Sequence, residues 1–404
     1  MLALRAQALF DGAAVTRGPV LVLVEGGRIV TVDRSGAAAP PHAEVVEFAD
    51  ATLLPGLVDA HVHLAFEPTG HPLVDVLGVD DEVLLSRMRS NAARALAAGI
   101  TTVRDLGDAR YLTGRLRSTW TGGPEVLMSG PPITRTGGHC WFLGGAADGV
   151  DGVRAAVAQR LAAGVDVIKI MATGGLMTPG FGVHESQYGP VELRAACETA
   201  HGFGLAVTAH AHGPRGIAES VAAGVDGVEH ATFLTADGVE LDMDTVDRLA
   251  AAGVFVGSTE AWLPGGPPLP PTDALRLKQC RANVVRMQRA GVRVVCSSDA
   301  GVGSRKPHDV LPHGVILFAG LGFGTVEALA AATSVAAAAC GVGSRKGRLA
   351  PGFDADILAV AGDPSTDVRA LLDVRAVFRA GARVPRVADP SVDPPGRDTP
   401  PVTR

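Results

Sequence analysis

Cysteine is sparse and irregular in this 404-residue chain. Its five cysteines (Cys140, Cys197, Cys280, Cys296 and Cys340) are odd in number and scattered, without disulfide or metal-ligand spacing. A reducing, cytoplasmic setting is the simplest expectation. A basic surplus is also missing. The formal net charge of −6 gives no electrostatic footprint for nucleic acid. Long apolar runs are absent too. The stretch Leu329 to Cys340 is mostly alanine and too short to span a bilayer, so it reads as a buried helix. Met1 to Val15 lacks the apolar core of a signal peptide and reads as a strand entering a turn at Asp11-Gly12.

What the chain has is glycine and alanine in a repeating pattern. An Ala-rich, helix-like segment ends at Gly and a β-branched run follows at once: Gly99 then Ile100-Thr-Thr-Val, Gly164 then Val165-Asp-Val-Ile, Gly224 then Val225-Asp-Gly-Val, Gly253 then Val254-Phe-Val, and Gly291 then Val292-Arg-Val-Val. Glycine suits the left-handed position that ends a helix. The run after it suits a strand buried on both faces of a parallel sheet. With Gly204 before Leu205-Ala-Val as a variant, eight strands are predicted: 57–63, 100–105, 125–130, 165–170, 205–210, 225–231, 254–259 and 292–299. Eight strands alternating with helices fit an α/β (β/α)₈ TIM barrel over residues 55–344. A doubly wound open sheet is the alternative.

Polar residues gather where these strands end. His61-Val-His63 closes the first, and i, i+2 side chains share a face of a strand. Lys169, His210, His230 and Asp299 end the fourth, fifth, sixth and eighth. Barrel enzymes build their sites at those ends, and imidazole is a good ligand for divalent ions, so a metal site is expected. Residues 1–54 and 345–388 carry short alternating runs and read as one small β-domain made by both chain ends. The Pro-rich segment 389–404 reads as a disordered tail.

These motifs resemble the amidohydrolase superfamily, in its imidazolonepropionase and prolidase-like branch. The resemblance rests on Pro55-Gly-Leu-Val-Asp-Ala-His61-Val-His63, Ile168-Lys169-Ile-Met-Ala-Thr-Gly-Gly175, Ala209-His210-Ala-His212-Gly213, Val228-Glu229-His230, Ser298-Asp299 and Gly352-Phe-Asp-Ala-Asp356. It implies a barrel flanked by a β-sandwich and holding two divalent ions, usually Zn²⁺. By the resemblance, His61, His63 and Asp299 would hold the more buried ion, and His210 and His230 the more exposed one. Lys169 would bridge them as a CO₂-derived carbamate; its alternative is an interior lysine paired with Asp299. Two cations sharing a water lower its pKa strongly. Asp299 would then be both ligand and proton shuttle.

The resemblance makes His139 a candidate for binding the substrate carbonyl or its oxyanion. His212 replaces the tyrosine with which some relatives hold a substrate carboxylate. Tyr188 and Trp141 are further candidates for substrate contact. In a chain with only 4% aromatic residues, Trp141-Phe142 and Glu260-Ala-Trp262 suggest an apolar or aromatic substrate face. The implied function is metal-dependent hydrolysis of an amide-type C–N bond in an N-acyl amino acid, dipeptide, aryl amide or urea. Alternatives are a cyclase or dehydratase using the same metals, and a non-catalytic scaffold. The expected partner is a small molecule, with neither nucleic acid nor membrane; homo-oligomers are common in the family.

Overall fold

The computed structural model describes residues 1–69 and 71–385. The tail expected at 389–404 lies outside the described residues. The N-terminal part supplies β1 (Leu2–Phe10), β2 (Val15–Glu25), β3 (Arg28–Asp33) and β4 (Glu44–Pro55). Eight parallel strands follow, alternating with helices: β5 (Leu57–Val62), β6 (Ile100–Asp105), β7 (Glu125–Met128), β8 (Val167–Met171), β9 (Ala206–Ala211), β10 (Gly227–His230), β11 (Phe255–Ser258) and β12 (Arg293–Cys296). The chain closes with β13 (Ile357–Ala361), β14 (Val374–Arg379) and β15 (Ala382–Arg383).

The eight expected strands match β5 to β12 within a few residues at each end. β5, β6 and β8 are buried along their whole length, as strands covered on both faces should be. Gly224 ends the helix Pro214–Ala223 in the left-handed conformation, at φ +93°, as the Ala-Ala-Gly pattern predicts. The strands form a five-stranded sheet, β12-β11-β10-β9-β8, and a three-stranded one, β5-β6-β7. Backbone bonds bridge both gaps. Met171 N donates to Ile133 O and Ile133 N to Lys169 O, each at 2.8 Å, just past β7. At the other gap, Asp299 N donates to His61 O at 2.7 Å and His63 N to Ala300 O at 3.0 Å.

The chain ends form one continuous seven-stranded sheet, β15-β14-β13-β4-β1-β2-β3. Two separate sheets, as a β-sandwich implies, are not distinguished there. The reason is β4. It pairs with β1 from Glu44 to Leu53 and, over Ala51–Pro55, with β13 on its other edge, so one long strand joins the two parts. Ile29 on edge strand β3 also bonds to Phe353, just before β13, at 2.9 Å. A separate core fills this sheet, with Phe48 edge-on to Phe378.

β4 runs into β5 through Gly56. A side chain at Gly56 would overlap Thr101 of β6, so only glycine allows this close approach. An ion cluster makes the second connection between the chain-end sheet and the parallel strands. Arg345 pairs with Glu125 of β7 and with Asp354, and the buried Lys346 reaches Glu125 at 3.1 Å and Asp356 at 2.5 Å. Burial would raise the Glu125 carboxyl, but Arg345 and Lys346 outweigh it and hold it at about 2, against an ordinary 4.5. A depressed carboxyl stabilises the fold above its unfolded value, and that contribution fades as pH falls through the folded value. Glu125→Gln should therefore be less stable than the parent at neutral pH, with the gap narrowing between pH 4.5 and pH 2. Urea midpoints at neutral pH and at about pH 3 test this; an equal gap at both would refute the linkage.

Candidate metal centre and active-site cavity

His61 belongs to β5 and His63 follows it by one residue. Lys169 lies on β8, His210 on β9 and His230 ends β10. Asp299 lies beyond β12, in the loop that starts the return to β5. His230 and Asp299 both sit at positive φ, +72° and +56°. Such backbone costs energy for a side chain with a Cβ, and its presence at two converging residues is typical of a functional site.

The side chains meet in two sets. His61, His63 and Asp299 form one; His210, His212 and His230 form the other. Within each set the potential ligand atoms lie within 4.8 Å of one another. Asp299 Oδ1 is 3.4 Å from His61 Nε2 and 3.3 Å from His63 Nε2. The sets adjoin, with the His61 and His230 rings 5.3 Å apart. His212, expected to touch substrate, stacks on His230 at 4.6 Å and is part of the second set.

Hydrogen bonds behind the rings decide which nitrogen faces inward. His63 Nδ1 donates to Gly107 O and His210 Nε2 to Gly174 O, both at 3.0 Å. A carbonyl can only accept, so in the neutral ring the opposite nitrogen keeps its lone pair for the site. Burial would lower His63, but Asp299, Asp105 and Gly107 outweigh it and raise it above the ordinary imidazole value. His61 Nδ1 donates to Glu229 Oε2 at 2.9 Å, and His230 Nδ1 is 2.9 Å from Thr259 Oγ1. Burial drives His210 and His230 well below the ordinary imidazole value, and His61 down to about 4. These rings are neutral and able to ligate. Burial would raise Asp299, yet His61, Lys306 and His63 outweigh it and keep it ionised.

Lys169 is the orphan. Its Nζ is buried and has no hydrogen-bond partner among the described residues, Asp299 included. Burial lowers it to about 8, against the pull of Glu229 and Asp299. Neutral imidazoles around a carboxylate, with an unpaired lysine nitrogen, are a donor set that fits divalent ions.

The sets open into a cavity of about 450 Å³, a size suited to a small molecule. Its outer wall is apolar, with Leu176, Met177, Val183, Leu234, Leu277 and Trp262. His139 faces this cavity with its ring 4.6 Å from that of His210, and its Nδ1 is 2.9 Å from Thr178 Oγ1. Tyr188 and Trp141 are not in the lining. The Tyr188 hydroxyl donates to Ala147 O at 2.6 Å and its ring belongs to the core, so it does not reach a substrate in this cavity. Trp141, on a short 3₁₀ turn, is 42% exposed and lies outside this lining, so the cavity does not place it against a substrate.

Glu229, Arg104 and Lys306 drew no role from the sequence. Glu229 also accepts from Arg104 Nη2 at 3.1 Å and Thr208 Oγ1 at 2.7 Å. A signal existed: opposite charges inside two otherwise apolar strands demand each other as partners. Lys306 gave no such signal, because it sits in a loop. Glu229→Gln would present an amide donor to His61 Nδ1. The His61 proton would then shift to Nε2, removing the inward lone pair. Metal affinity should fall about 10- to 100-fold, measured by competition with a chromogenic chelator. An affinity within about twofold of the parent's would overturn this role.

Residues 52–384 match the model of the Amidohydrolase family. The chain is 26% identical over 387 residues to ochratoxinase from Aspergillus niger, covering 86% of this chain and 78% of that one. It superimposes on a Xaa-Pro dipeptidase with bound methionine in the active site, with a TM-score of 0.84, 26% identity, and coverage of 95% of this chain and 99% of that one. A prolidase complexed with N-methylphosphonate-L-proline gives a TM-score of 0.83 and 26% identity over 96% of this chain and 100% of that one. The chain belongs to the amidohydrolase family, as an enzyme that hydrolyses C–N bonds.

Proposed function

We propose that this enzyme hydrolyses the amide bond of a small N-acyl amino acid or dipeptide with the help of two divalent ions, Zn²⁺ being the best candidate. The observation that carries the reading is the convergence of two ligand sets, each within 4.8 Å, beside an apolar cavity. The similarity to ochratoxinase, to a dipeptidase holding methionine and to a prolidase holding a proline phosphonate supports the substrate class. Aryl amides and ureas remain in the same chemical range.

His61, His63 and Asp299 would hold one ion, and His210 and His230 the other. Lys169 would bridge them as a carbamate, formed when its unpaired amine takes up CO₂. Bound there, the ions would supply Lewis acidity and a water acidic enough to attack at neutral pH. Asp299 holds its carboxylate ionised beside both His61 and His63, so it can accept the proton of the attacking water and return it to the leaving nitrogen. His139 is neutral, at about 3, and buried beside His210, which suits a hydrogen bond to the substrate carbonyl oxygen.

We infer that the two parallel sheets close through their bridged gaps into one (β/α)₈ barrel over 55–344. The chain-end sheet, 1–54 with 345–385, would coil into a two-layered flank. All five cysteines are free, which supports a reducing compartment.

Zn²⁺-loaded protein screened against dipeptides, N-acyl amino acids, aryl ureas and lactams, with product masses recorded, tests the activity. An amine and an acid are expected; a ring plus water would instead mean cyclisation. Asp299→Asn should lose about 10²- to 10⁴-fold in turnover, and near-normal rates would remove the shuttle. Lys169→Ala should bind less metal and recover it when a short carboxylic acid is added. Unchanged metal content would eliminate the carbamate.

A further inference from the structure

Lys306 occupies an unusual position for a lysine. Its side chain is 4% exposed, yet it lines the cavity, and its ammonium lies 4.6 Å from the centre of the Trp262 ring. Thr259 O accepts from Nζ at 2.7 Å. Asp299 Oδ2 is 3.9 Å away, close enough for charge attraction but too far for a hydrogen bond. An ammonium carries three N–H donors. Among the described residues, Thr259 O is the one hydrogen-bond acceptor it meets.

The placement is held from two sides. The loop is closed on itself: Val302 N bonds to Asp299 O, Lys306 N to Gly303 O, and Gly301 N to Lys306 O. The residue that accepts from Lys306 also lies 2.9 Å through its hydroxyl from His230 Nδ1. The ammonium is therefore tied to Asp299 of the first ligand set and to His230 of the second.

A buried cation with uncommitted donors, beside a hydrolytic centre and against an aromatic wall, fits an anionic substrate group. We infer that Lys306 is a specificity-determining residue that receives the free α-carboxylate of the amino acid released by hydrolysis. This deepens the proposed function and rests on it. In an N-acyl amino acid the α-carboxylate carbon is three bonds from the scissile carbonyl carbon, about 4 Å at most. That span matches the separation of Lys306 Nζ from the inner carboxylate of Asp299. Arg276 is the rival: it lines the same cavity, and although its Nη2 is engaged by Ala236 O at 3.1 Å, its Nε is buried with no hydrogen-bond partner among the described residues, so variants at both positions must separate the two cations.

The test pairs N-acetyl-L-phenylalanine with its carboxamide-capped twin. Binding is measured calorimetrically on chelator-treated protein and turnover on Zn²⁺-loaded protein, for the parent, Lys306→Met, Lys306→Arg and Arg276→Gln. The parent should favour the free acid in both measurements. Lys306→Met should shrink that preference at least about tenfold, and Lys306→Arg should restore part of it. A preference that survives Lys306→Met, or that falls only in Arg276→Gln, overturns the assignment. A parent without preference overturns it as well. Loss of turnover on both twins in equal proportion in Lys306→Met, with binding preference intact, would make Lys306 a support for Asp299 and also overturn it. Selective binding of the acid that depends on Lys306, without turnover by the parent, upholds Lys306 while refuting amide hydrolysis.

Discussion

Glu229 carries a charge sealed inside the parallel strands, and the rim above depends on how that charge is balanced. Burial opposes ionisation, but His61, Lys169 and Arg104 outweigh it and hold the carboxyl far below its ordinary value. Arg104 is itself committed twice more, to Ala60 O at 2.8 Å and Ala339 O at 3.0 Å. Removing one partner from such a buried pair strands the other, at a cost of about 3–5 kcal/mol. The network spans β5, β6, β9 and β10, so strand packing and ring orientation are set by one set of bonds. A displacement of β10 would turn His61 as well as His230.

Above that layer the site changes character. Each of the four histidines from β5, its end, β9 and β10 is fixed by a hydrogen bond behind the ring, and each presents its free nitrogen to a shared space. Fixed orientation is what allows neutral imidazoles to stay packed with ring centres as close as 4.6 Å without a mutual hydrogen bond. The positive φ of His230 and Asp299 belongs to the same arrangement. His230 adopts it at the end of β10 and Asp299 three residues beyond β12.

Much of this was legible from the sequence because its signals are local. Ala-Ala-Gly followed by a β-branched run marks a helix end and a buried strand within about ten residues, and the strands fall where those runs lie. Strand ends then located His61, His63, Lys169, His210 and His230. The unreadable parts are set by contacts distant in sequence. Nothing near β4 announces that one strand will serve both β1 and β13 and so join the two chain ends in one continuous sheet. Tyr188 lies a few residues past the cavity-facing loop, but its hydroxyl is captured by Ala147, forty-one positions earlier. His212 follows the i, i+2 rule from His210, and its place beside His230 depends on the pairing of β9 with β10.

The division of labour within the site has a consequence for specificity. The histidines of the two candidate ligand sets come from strands or the residues just past them, whose positions are fixed by ladders of backbone bonds and by the buried Glu229 network, and Asp299 comes from the loop just past β12. The walls come from elsewhere: the loop after β8 gives Leu176 and Met177, the segment after β11 gives Glu260 and Trp262, and the loop after β12 gives Lys306. Loops tolerate change that strands do not. Chemistry and selectivity can therefore vary separately in this architecture, except where one residue serves both. Thr259 is such a residue, with its hydroxyl toward His230 and its carbonyl toward Lys306. Asp299 is another, with one oxygen toward the histidines and the other toward the ammonium. At these two points a change in what the cavity accepts is also a change in how the ligands are held, so the charge opposite Asp299 is the wall feature that this site can alter least freely.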